Sequence, residues 1–152
     1  MIYTIGDTAN RSAVCDLTEH LVPTDAVMKL LGIEVTQEDL TSVAFWLITL
    51  RRVTGAPTSG SGGNTPTPRP TMTGYAAAGS TVETFNTTQL SGGTNVVLGS
   101  WRMNILNGLF IRDIPEEMLY WSPGERMLLE LETAPLAATD ISLTYKFKEI
   151  GG

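Results

Sequence analysis

TSVAFWLITLRRV, residues Thr41–Val53, is the longest apolar run in the chain, and its reading decides the fold. Val, Phe, Trp, Ile and Thr favour a pleated strand over a helix. The run ends in Arg51-Arg52 and then in Thr54-Gly55-Ala56-Pro57, where a strand must stop because proline cannot donate to a ladder. Two apolar sets alternate along it: Val43, Phe45 and Leu47 on one face, Ala44, Trp46 and Ile48 on the other. In a sandwich only one face meets the opposite sheet. The second face therefore calls for another cover, a neighbouring subunit or a folded-over loop.

The rest of the chain extends this pattern. Ala26–Gln37 reads as a strand, because Gly32 would break a helix and Ile33, Glu34, Val35 and Thr36 alternate strictly. Thr94–Met103 changes phase near Gly99, which predicts a bulge. Leu109–Ile111 and Met118–Trp121 are short strand candidates, with Ile114-Pro115-Glu116-Glu117 between them. Arg126–Glu132 and Ile141–Phe147 both alternate and are joined by a seven-residue loop, so they read as an antiparallel pair. A further edge strand is expected within Thr71–Gly79. The segment 54–70, with Gly-Ser-Gly-Gly followed by spaced prolines, reads as a long flexible loop. Roughly eight strands with turn signals between them predict an all-β, two-layer antiparallel sandwich, jelly-roll-like because the long loop implies a crossover. Residues 1–10 are expected as an N-terminal arm or edge strand, and residues 11–152 as one β-sandwich domain.

Composition narrows the function classes. Charged residues are 17% of the chain against roughly 25% in soluble domains at large. That suits either a Thr-rich monomer or a subunit hiding surface against partners, since interface cores are depleted in charge. The net charge is −6 and no basic face is present, so nucleic acid is not an expected partner. No apolar run approaches the roughly 20 residues of a spanning helix, and no N-terminal signal is visible, so a soluble protein without membrane contact is expected. One cysteine, Cys15, and one histidine, His20, provide neither a disulfide framework nor a histidine metal cluster. No cofactor is expected, and no nucleophile elbow or phosphate-cradling loop occurs. Glu116-Glu117 and Glu130/Glu132 are paired carboxylates. The latter share a strand face about 7 Å apart and read as a solvated face ahead of a glycosidase pair. No enzymatic activity is expected.

The candidate interface residues are Trp101, Phe110, Tyr120 and Trp121, with Arg51 and Arg52. Aromatic side chains serve as anchors at subunit interfaces and as stacking platforms for sugars.

Taken in order, these landmarks carry a resemblance: a strand ending in arginines, a GSGG/TPTP loop, TGYAAAGSTVETFNTT, a Pro-Glu-Glu segment, the turn SPGER, and the finish LETAP…ISLTYKFKEIGG. Across most of Val27–Gly152 the chain resembles small structural proteins of tailed bacteriophages, the capsid decoration or cement proteins. The resemblance implies a jelly-roll-like sandwich, a homotrimer on the outer capsid surface, and the major capsid protein as partner. A carbohydrate- or receptor-binding module of a tail or head fibre, or a head–tail connector component, is the alternative reading.

Overall fold

The computed structural model describes residues 1–38, 41–112 and 118–151. Eleven strands run β1 (Ile2–Arg11), β2 (Cys15–Leu21), β3 (Ala26–Gln37), β4 (Phe45–Thr54), β5 (Arg69–Pro70), β6 (Thr81–Asn86), β7 (Thr94–Asn104), β8 (Leu109–Ile111), β9 (Tyr120–Trp121), β10 (Arg126–Leu131) and β11 (Thr139–Gly151). They form two antiparallel sheets. One has the order β5-β1-β11-β3-β8, with β9 also on β3; the other is β6-β2-β10-β4-β7.

The pairing is that of a jelly roll. The first strand pairs with the last, β1 with β11, the next inward pair is β2 with β10, then β3 with β9, and β4 pairs with β7 at the turn of the roll. Each consecutive pair in this nest crosses to the other sheet, giving two packed layers. β8 and β9 lie on different parts of β3, at Ile33–Val35 and Met28–Lys29, and act as one interrupted edge strand. The chain has eleven strands where the sequence predicts about eight: the jelly-roll frame takes β1 to β4, β7, the interrupted β8/β9, β10 and β11, and β5 and β6 lie within the β4–β7 connection. The segment Ile114–Glu117, read as closing β8, lies outside the described residues.

Two local expectations are corrected. Arg126–Glu132 and Ile141–Phe147 do not pair: β10 lies between β2 and β4, while β11 lies between β1 and β3 in the other sheet. Their alternating faces are real, but both inner faces meet across the core instead of side by side. The edge strand placed in 71–79 is instead the two-residue β5 at Arg69–Pro70, and 71–79 is a loop. That loop is pinned by Glu149, whose carboxylate accepts from the Gly79 and Ser80 amides and the Ser80 hydroxyl.

The core forms where the inner faces meet. Ile141, Leu143, Tyr145 and Phe147 of β11 stand beside Tyr3 and Ile5 of β1 and Leu30 and Val35 of β3. Opposite them are Leu17, Trp46, Ile48, Leu50, Leu129 and Leu131. Residues 1–10 belong to this frame as β1, which is paired with β11 from Ile2 to Arg11. The phase change near Gly99 is present as a register shift, where Leu50 faces Gly99 and Arg51 faces Val97.

The expected loop 54–70 is a loop from Gly55 to Pro68, with Thr54 in β4 and Arg69–Pro70 in β5, and its first half is tied down. Thr58, Ser61 and Asn64 bond to Ser91, Thr88 and Thr84 through backbone hydrogen bonds of 2.8–3.1 Å in both directions. Composition alone suggested a flexible chain; the backbone partners along 84–91 order it. The glycines permit this close approach. A Cβ on Gly63 would lie 2.0 Å from the Thr84 carbonyl oxygen. Gly63→Ala is therefore expected to cost about 1–3 kcal/mol and to open 58–64 to limited proteolysis, with the rest of the domain intact.

Candidate interaction surface

The arginine pair is used inside the molecule. Arg51 points to the outer face of β4, where its Nε pairs with Glu130 and its Nη2 with Glu132 at 2.7 Å. Thr49 completes the group by donating to Glu132 at 2.6 Å. Arg52 faces the other way. It pairs with Glu125 at 3.3 Å, donates to the Tyr120 carbonyl at 2.5 Å, and lies 5.8 Å above the Trp121 ring. Arg52 so joins β4 of one sheet to β9 of the other.

The four aromatic candidates divide. Trp121 is fully buried and belongs to the core. Trp101 is half-buried, with its indole occupying the space that a side chain on Gly99 would need. Tyr120 is exposed and Lys29 Nζ sits 5.2 Å from its ring centre. Phe110, on β8, is 62% exposed. Trp101, Tyr120 and Trp121 thus do not present three rings to solvent on one face, the arrangement a sugar-stacking platform requires.

The carboxylates give no hydrolytic pair. Glu130 and Glu132 share Arg51. Burial holds the Glu130 carboxyl above its ordinary range, and Arg51 partly opposes this. The Thr49 hydroxyl and Arg51 hold Glu132 below its ordinary range. A groove of ≈ 410 Å³ lies on the outer face of the other sheet, beside Gly32, Glu34, Phe110, Arg112 and Lys146. A smaller one of ≈ 50 Å³ lies by Glu19, Ser59 and Arg126. Neither is lined by Glu130 or Glu132. Glu116 and Glu117 lie outside the described residues. Among the described residues no group of three or more His, Cys, Asp or Glu side chains is placed to hold a metal ion, and no helix is long and apolar enough to cross a membrane.

Cys15 and His20 are both buried on β2. Burial pushes the Cys15 thiol up to about 11 and the His20 imidazole down to about 3, so at neutral pH both are uncharged. His20 Nδ1 lies 3.0 Å from the Tyr145 hydroxyl, inside an aromatic group with Phe147. A thiolate–imidazolium site has no place there.

What remains open is apolar surface along β4 and β7. Trp46, Ile48 and Leu50 go into the core, while Val43 is 68% and Phe45 56% exposed and Leu47 is half-buried. Val96, Val97 and Leu106 are exposed on and beside the neighbouring β7. Thr133, after β10, accepts from the Leu47 amide at 3.0 Å, but Val43 and Phe45 stay open to solvent. The face of Val43, Phe45 and Leu47 was visible in the alternation of Thr41–Val53. Val97, which lies opposite Arg51 on the outer face, was not singled out by sequence reasoning, although Ser91–Arg112 lacks any Asp or Glu.

No family model, no curated protein and no solved structure matches the chain.

Proposed function

We propose that the chain is a structural protein of a tailed-bacteriophage virion, a decoration protein seated on the outer surface of the capsid and stabilising coat-protein contacts. Its partners in this reading are the major capsid protein and further copies of itself, with a homotrimer as the assembly that the resemblance implies. The observation that carries the reading is the uncovered strip Val43, Phe45 and Leu47, continued by Leu106, in a chain with little charge. A large exposed apolar patch marks a protein contact. The ionic groups weighed as sites support it too, because Arg51, Arg52, Glu130 and Glu132 are spent on one another or on the frame. An acidic chain fits the outside of a capsid better than the nucleic-acid side. Mass spectrometry of purified particles from the phage encoding this chain is expected to find it in fixed proportion to the coat protein. Its absence from the particles would overturn the reading.

A further inference from the structure

β7 is the open edge of its sheet. It is eleven residues long and pairs with β4 alone. The other edges are shorter or partly lined: 58–64 lies along β6, β5 pairs with β1 at Tyr3–Thr4, and β8 and β9 are edge strands of three and two residues. Among the described residues, no backbone hydrogen bond from any other segment reaches 95–103. β7 has no proline and one charged residue, Arg102; of the guards that exposed edges ordinarily carry it has that charge and the bulge near Gly99. It also lies in the acid-free stretch Ser91–Arg112 of a chain with 16 acidic residues. Two copies meeting here bring no carboxylate against another.

We propose that β7 pairs with β7 of a second copy of this chain, antiparallel about a two-fold axis, joining two five-stranded sheets into one. The register follows from two alternations. The Ile105 amide donates to the Ala44 carbonyl, so Ile105, Met103, Trp101 and Gly99 direct their backbone groups to β4. Arg102 and Ser100 direct theirs to the open edge. Beyond the bulge the phase changes, and Val97 and Asn95 take the open-edge positions. The side chains change with it: Val97 shares the outer face with Ser100 and Arg102, because Val97 lies opposite Arg51 and Ser100 opposite Thr49. Setting Val97 against Ser100 of the other copy, and Asn95 against Arg102, satisfies both alternations. The axis then passes between Leu98 and Gly99. Each Arg102 meets a neutral Asn95 of the second copy, whereas parallel pairing would set Arg102 against Arg102.

This contact is separate from the virion reading and from any three-fold assembly. Ser100→Pro tests it, because the lost N–H faces the open edge and the β4 ladder keeps all its bonds. Sedimentation of the wild-type protein at high micromolar concentration is expected to give a species of twice the mass of the Ser100→Pro species, with association weakened about tenfold or more. Hydrogen exchange on the wild-type protein is a second measurement that needs no variant. The amides of Asn95, Val97, Ser100 and Arg102 are expected to slow in the associated state and to exchange freely on dilution. Equal masses for both proteins, or fast exchange of these four amides at high concentration, would overturn the inference. A trimer that Ser100→Pro leaves unchanged would overturn it too while sparing the trimer.

Discussion

Asp16→Asn is expected to stabilise the protein at pH 8 and to remove most of its loss of stability between pH 5 and pH 8. Asp16 is fully buried on β2, beneath the connection that leads from β6 to β7. Its Oδ2 accepts from the Leu90 amide at 2.6 Å. Across the ladder it stands directly opposite Glu130. Burial pushes the Asp16 carboxyl up to about 7; the Leu90 amide opposes the shift and the Glu130 charge adds to it. A folded pKa above the unfolded value means that the fold holds a proton that the unfolded chain has released. The stability from that proton is complete below the ordinary value of 3.8 and declines as pH rises, until it is lost above about 7. The difference is on the order of 2–4 kcal/mol, a large part of the roughly 5–15 kcal/mol that holds a domain together. Asparagine keeps an acceptor for Leu90 and carries no charge. Denaturant unfolding at pH 5, 6.5 and 8 reads the effect, and parallel pH profiles for the two proteins would refute it.

Trp46→Ala is expected to cost about 3–5 kcal/mol. Trp46 is 1% exposed and is among the largest buried side chains in the chain. It stands on β4 with Ile48 and Leu50, facing the β11 and β3 residues of the other sheet, so alanine leaves a cavity that two rigid layers cannot close. Its indole Nε1 is buried with no hydrogen-bond partner. Trp46→Phe therefore removes an unsatisfied donor together with part of the ring, and is expected to cost less than half as much as alanine. Chemical denaturation of the two variants gives the comparison. A phenylalanine variant as unstable as the alanine variant would show that the indole N–H, not ring volume, holds this part of the core.

The two residues differ in how far they could be read from sequence. Trp46 stands in one of the two apolar faces that alternate along Thr41–Val53, and the fold makes this face, not that of Val43 and Phe45, the core. Asp16 is a lone carboxylate between Cys15 and Leu17 in the sequence and gives no local sign of burial. Its environment comes from 58–64 and 84–91 folding over β2, Leu90 standing 74 residues on in the chain. The same distinction applies to the candidate interface. Phe110 and Tyr120 are exposed, but their neighbour Trp121 is buried because successive strand residues point to opposite faces and β9 has its core behind it.

The sequence by itself determined most of the strands and the alternation of their faces, and left open which face of Thr41–Val53 meets the opposite sheet. Period-two alternation, turn residues and the phase change near Gly99 are local properties, written within a few residues of where they act. It also determined that the chain carries little charge and holds a single cysteine and a single histidine. Only the tertiary structure decided which strands are neighbours. Alternation states which face of β10 and β11 is apolar, and says nothing about whether they pair in one sheet or meet across the core. Nested pairing of first strand with last depends on contacts more than a hundred residues apart, as between Ile2 and Lys148. The same long-range arrangement left β7 open, because an edge exists only once every other strand has taken its partners.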